Sequence, residues 1–169
     1  MFADVDMTSG VASLGTMEVI GVQSLRPVDL VLGLDPCSSP REVIEFLDKQ
    51  EIKSINIVGY SMGGYIAMYL ATHHPERINK IITLATKFRW DETIALHETK
   101  MLNAGKIEEK LPDFASALQK RHAPNNWKTV LEKTAAMLIE MGKDNPLKPG
   151  DYLAIQRPVL LMLGDRDKM

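Results

Sequence analysis

A serine bracketed by glycines, Gly59-Tyr60-Ser61-Met62-Gly63, is the residue set in this chain best suited to covalent chemistry. It follows directly on the apolar run Ile55-Asn56-Ile57-Val58 and leads into a helix-forming segment. Strand, sharp turn and helix in that order put Ser61 at the apex of a strained bend, its hydroxyl raised above the end of a sheet. Gly59 and Gly63 are expected to be glycine because side chains there would collide with the closely passing strand and helix. Gly-x-Ser-x-Gly arises by chance in about one chain in twenty of this length, so the motif alone says little. Its weight comes from the strand before it and the helix after it. The chemistry open to such a residue is nucleophilic attack by Oγ on an electrophilic centre.

The elements that must position Ser61 are legible from about residue 39 onward. Ser39-Pro40-Arg41-Glu42 forms a capping box with proline at the first helical position, and Val43, Ile44 and Leu47 continue one apolar face to about Gln50. Ser54 to Val58 is apolar nearly throughout, the pattern of a parallel strand covered on both faces. A helix over residues 62–74 is stopped by Pro75, and Ile78 to Ala85 reads as a second buried strand. Strand, helix and strand this close together make a βαβ unit.

The segment from Lys87 to about Gln156 is helical in pattern and has no convincing strand. Trp90 to Leu102, Leu111 to Arg121 and Trp127 to Gly142 are its three helix candidates, the last with the clearest apolar face. Pro158 to Leu163 is a further buried strand, with proline tolerated at its first position, and it runs into Gly164-Asp165-Arg166-Asp167. In an open parallel sheet the chemistry gathers where strands end at their carboxyl edge. Ser61 and Asp167 are thus expected on one rim. Residues 1–38 are the least informative: Met17 to Val22 and Val28 to Leu34 could each be a short strand, and a poorly packed leader fits as well.

Composition narrows the function classes. The chain has 169 residues, enough for one domain with a moderate core, and 45% hydrophobic and 25% charged residues, ordinary globular values. A net charge of -2 gives no reason to expect nucleic acid or an anionic membrane as partner. Cys37 is the only cysteine, so no internal disulfide can form. The first residues lack the basic region and apolar run of a secretory signal, and no run reaches transmembrane length. The expectation is a cytoplasmic protein without a membrane or nucleic-acid partner. Gly59, Gly63 and Gly64 do not make a dinucleotide fingerprint, and no Walker lysine follows. The histidines lack pairing with cysteine or carboxylates, so no metal and no cofactor is expected.

Taken together, Gly59-Tyr60-Ser61-Met62-Gly63-Gly64, His74-Pro75-Glu76-Arg77-Ile78 and Pro158-Val159-Leu160 leading to Gly164-Asp165-Arg166-Asp167 resemble the α/β-hydrolase fold superfamily, in its esterase and lipase-like branch. The resemblance covers roughly residues 39–169. It implies a partial α/β-hydrolase parallel sheet with helices on both faces, and residues 87–156 as a helical cap that shapes the pocket. Residues 1–38 would be an N-terminal stretch of unclear structure. By the same resemblance Ser61 matches the nucleophile, Asp167 the acid with Asp165 as the alternative, and the backbone N–H of Met62 one oxyanion-hole donor. The implied reaction is acyl transfer: serine attacks the carbonyl of a small carboxylic ester, helix-top amides hold the developing oxyanion, and water releases the acid. A carboxylate nucleophile, as dehalogenation or epoxide opening would need, is argued against by Ser61.

The chain departs from that pattern. The family order is nucleophile, acid, histidine, yet His73, His74, His97 and His122 all precede Asp167, and only Lys168 and Met169 follow it. Nothing in residues 1–38 resembles the loop that carries the second oxyanion amide, and the early strands, the last strand and the last helix look absent. The sequence thus reads as a truncated form. Loss of a triad member leaves roughly 10³–10⁴ over water, and loss of an oxyanion donor removes about 10²–10³ more. The chain alone is expected to be weakly active or inactive. The alternative is a non-catalytic fragment or interaction module in which Ser61 is only a turn residue.

Overall fold

The computed structural model describes residues 29–32, 39–165 and 167. Four parallel strands form one sheet in the order β1 (Asp29–Leu32), β2 (Ile55–Tyr60), β3 (Ile78–Leu84) and β4 (Val159–Met162). The register is continuous, with Val31 beside Val58, Val58 beside Ile82 and Ile82 beside Leu160. Sequence patterning left Val28 to Leu34 open between a strand and a poorly packed leader. It holds a strand, paired with Asn56–Gly59, so at least one early strand is present. The candidate strand at Met17 to Val22 lies outside the described residues.

Between β1 and β2 runs α1 (Pro40–Lys49), which begins with the anticipated capping box. The Ser39 Oγ accepts from the Glu42 N–H at 3.3 Å, and the Ser39 N–H donates to Glu42 Oε2 at 2.6 Å. Two otherwise orphaned donors are satisfied reciprocally, and Val43 and Leu47 are turned into the core. α2 (Met62–His73) follows β2 and packs across β2 and β3. It buries nearly every residue from Gly63 to Ala71, as a helix laid flat on a sheet must. Ile55, Ile57 and Ile81 meet it from the strands, each about 1% exposed.

At the amino edge of the sheet, Arg77 explains why the helix is followed by Pro75-Glu76-Arg77. Pro75 starts a short 3₁₀ turn that ends at β3, and this brings the Arg77 guanidinium against the loop entering β2. There it donates to the Lys53 and Ile52 carbonyls, at 2.9 and 3.0 Å, and to Asp48 Oδ1 at 2.7 Å. Three of its donors thus hold the start of β2 in line with β3.

The covering of the sheet is one-sided among the described residues, where the apolar runs suggested strands buried on both faces. Asn56, Val58, Ile82 and Leu84 alternate with the buried positions and are half-buried, and Lys80 is exposed. A trough of about 410 Å³ lies along them, lined by Val58, Ile82, Val159 and Leu160 among others. β4 departs furthest from expectation: all four of its residues are exposed, Leu161 to 60%. An apolar strand pattern reports that a residue can be buried, and burial itself needs a second layer.

The chain divides into two compact units, residues 89–146 forming the second and the rest the first. The second unit contains α3 (Glu92–Thr99), α4 (Ala104–Lys110), α5 (Pro112–His122) and α6 (Trp127–Lys143). Asp91, Asn103 and Asn126 cap three of these helices with their side-chain oxygens. Ile107, Ala115, Leu118 and Trp127 make one buried cluster, with Leu131 packed against it. α3 and α6 approach closely because position 142 is glycine: a Cβ there would lie 2.6 Å from the Ala95 Cβ. α7 (Pro149–Ala154) belongs to the first unit, where the Tyr152 hydroxyl donates to the Phe88 carbonyl at 3.1 Å.

Candidate active site

Ser61 stands alone between the last residue of β2 and the first of α2, with φ 52° and ψ −116°. A positive φ is uncommon for any residue other than glycine and marks a backbone held against its local preference. The surroundings over-determine it. The Ser61 N–H donates to the Leu84 carbonyl at 2.9 Å, which carries the β2–β3 ladder one residue into the turn. The Ser61 carbonyl accepts from the amides of Gly64 and Tyr65, at 3.1 and 3.4 Å, and from the Thr86 hydroxyl at 3.0 Å. Ser61 precedes the helix as its N-cap yet makes no side-chain capping bond to it. A serine in that position ordinarily spends its oxygen on the N2 or N3 amide; here Oγ is not engaged in that way.

Glycine is required where the turn is tightest. A Cβ on Gly59 would fall 2.5 Å from the Gly63 carbonyl carbon and oxygen, backbone atoms that cannot step aside. A Cβ on Gly64 would enter the Thr86 hydroxyl and lie 3.0 Å from the Thr83 Cβ. The second close approach therefore involves the glycine one position beyond the five-residue motif, against a threonine that the motif does not contain.

Met62 occupies the first helical position, whose N–H has no acceptor within the helix. The N-terminal end of α2 also carries the positive end of the helix dipole, so this rim favours developing negative charge. Asp165 and Asp167 lie beyond the carboxyl end of β4, both exposed, and the Asp167 N–H donates to the Gly164 carbonyl at 3.1 Å. All four strands are parallel, so the ends of β2 and β4, with Ser61 and Asp167 just past them, belong to the same rim.

The histidines of this unit are elsewhere. His73 ends α2 and His74 follows it. Eleven steps of about 1.5 Å put His73 roughly 16 Å along the axis from Met62, at the opposite edge of the sheet. His73 stacks at a tilt on Tyr69, ring centroids 4.1 Å apart. His97 and His122 belong to the second unit, on α3 and at the end of α5. His97 is exposed, with Nδ1 3.7 Å from Glu98 Oε1. No group of three metal-ligating side chains occurs among the described residues, and no helix among them is long and apolar enough to cross a membrane.

Two tyrosines brace α2 and α7. The Tyr65 hydroxyl accepts from the Leu147 N–H at 2.9 Å, and burial pushes its pKa from 10.0 up to about 12. Burial also raises Tyr152, whose ring meets Phe88 edge-on at 5.7 Å. Motif reading found Ser61 but neither Thr86 nor Tyr65, whose partners are distant in sequence.

A family model described as the alpha/beta hydrolase fold matches residues 38–116, a span that includes β2, the Ser61 turn, α2 and β3. A Mycoplasma pneumoniae protein provisionally named an esterase/lipase is 27% identical over 150 residues, covering 79% of this chain and 52% of that one. Among solved structures, NosK from Streptomyces actuosus superposes with a TM-score of 0.57 at 17% identity, over 76% of this chain and 55% of the other. The enol-lactonase from Burkholderia xenovorans LB400 gives 0.51 at 17% identity, over 76% and 55%. At such identities these structures speak for the fold. The chain has a partial α/β-hydrolase fold. It spans about half the length of the relatives it matches.

Proposed function

We propose that this chain carries the nucleophile portion of a serine hydrolase acting on small carboxylic esters or related acyl compounds. The observation that carries this reading is Ser61 at φ 52° on the carboxyl rim, its N–H and carbonyl both held and its hydroxyl not used to cap α2. In the reaction Oγ attacks the acyl carbon, the acyl C–O bond breaks, and the serine proton goes to the leaving alkoxide, which departs as the alcohol. The oxyanion faces the Met62 amide at the helix N-terminus, and water then releases the acid. Asp167, or Asp165 beside it, is the acid that would orient a histidine. Residues 87–156 are read as a helical cap. The esterase/lipase name of the Mycoplasma relative and the ester-like bond of an enol-lactone support this substrate class.

The location of His73 and His74, at the far end of α2, favours a second reading: a non-catalytic module that keeps the fold without the reaction. A fluorophosphonate probe separates the two. Labelling of folded protein that disappears in Ser61→Ala is the expected result for the hydrolase. Folded protein that stays unlabelled at millimolar probe would overturn it and leave the non-catalytic reading.

A further inference from the structure

β3 ends at Leu84, and the next residue, Ala85, takes φ 50°, a left-handed conformation that no glycine is there to ease. The Ala85 N–H donates to the Met162 carbonyl of β4 at 3.0 Å, so this bend is anchored in the sheet. Its effect is to turn Thr86 back over the neighbouring strand end. There the Thr86 hydroxyl reaches the Ser61 carbonyl at 3.0 Å and occupies the space a side chain at position 64 would need.

The Ser61 carbonyl and the Met62 N–H belong to one peptide unit, which is planar with the two groups pointing in opposite directions. Whatever grips the oxygen on one side therefore aims the amide on the other. We propose that Thr86 is a positioning residue for the reaction: by holding the Ser61 carbonyl it fixes the direction of the Met62 amide as an oxyanion donor. A donor aimed before the reaction begins loses nothing to reorganisation when charge develops. The Gly64 and Tyr65 amides also reach this carbonyl, but they move with α2. Thr86 is the partner that ties the peptide to β3. The inference rests on the hydrolase reading for its catalytic meaning, and on geometry alone for its structural one.

The two parts can be tested separately with Thr86→Val, which keeps the shape and removes the hydroxyl, and Thr86→Ser, which keeps the hydroxyl. In wild type and both variants, the Met62 amide resonance and its hydrogen exchange are followed by NMR, and the rate of fluorophosphonate labelling is measured beside the melting temperature. The expected result is a displaced, faster-exchanging Met62 amide in Thr86→Val, labelling slowed between about tenfold and 10²-fold, and recovery of both in Thr86→Ser. The slowing should stay below that of deleting an oxyanion donor outright, about 10²–10³. A Met62 amide in Thr86→Val that matches wild type would overturn the proposal, as would a labelling loss that merely follows the unfolded fraction and is not recovered by Thr86→Ser. If wild type takes no label while the Met62 amide still responds to the hydroxyl, the hydrolase reading fails and the positioning contact stands.

Discussion

The loops leaving the carboxyl ends of β2 and β4 both carry residues proposed for the chemistry, and they are built by different means. The loop at Ser61 is held from every side: a positive φ, a strand hydrogen bond from its N–H to the Leu84 carbonyl, a threonine hydroxyl, and two glycines pressed against their neighbours. At Asp167 the described carboxylates are exposed, and the Asp167 N–H donates back to the Gly164 carbonyl. Among the described residues, a side chain on this loop's glycine, Gly164, would meet nothing nearer than the Asp167 Cβ at 4.0 Å. The strand beneath differs in the same sense, since β2 buries alternate residues against α2 whereas β4 is exposed throughout. The lesson is that a nucleophile position can be fixed by local collision and pairing. The position of an acid at the end of a bare strand is left to whatever packs on that strand.

The contrast can be broken most sharply at Gly59. Gly59→Ala drives a Cβ into the Gly63 backbone, and overpacking without room to yield costs about 3 kcal/mol or more. Urea unfolding should show the midpoint falling accordingly, and an unchanged midpoint would mean that the turn is not held by collision. Tyr65→Phe, in the same helix, should cost about 1–3 kcal/mol because it removes the hydroxyl that the buried Leu147 N–H donates to. The same hydroxyl sets an alkaline limit. Its folded pKa lies above the ordinary 10.0, so its contribution is complete below pH 10 and is lost as pH rises toward about 12. Melting temperatures measured from pH 9 to 12 should fall less steeply in Tyr65→Phe than in wild type. The smallest effect is expected at the other loop. Gly164→Ala should shift stability by no more than about 0.5 kcal/mol. A loss above about 2 kcal/mol would show that the Asp167 loop is as constrained as the Ser61 turn.

Where side chains signal locally, the sequence was an adequate guide. The Ser39 capping box, the stop at Pro75 and the apolar face of α6 are each formed by residues within a few positions of one another, and they fall where the pattern put them. The helices of the second unit were legible in outline, with α4 lying in the gap between two of the three candidates. β1 was left open because Ser, Gly and Pro interrupt the apolar stretches around it; the pairing with β2 decides it. The candidate site divides along the same line. The serine and its first glycine follow from the motif. Thr86 and the need for glycine at position 64 do not, because they concern atoms that meet only when β3 lies beside β2.

By itself the sequence determined that a strand, a serine-tipped turn and a helix occur in succession, since apolar runs, glycines and caps act over distances of a few residues. Only the tertiary structure decided which face of the sheet is covered, which neighbour grips the Ser61 peptide, and that His73 and His74 end at the opposite edge. Those outcomes depend on parallel strand pairing and on the roughly 18 Å length of α2, quantities that no short stretch of residues contains.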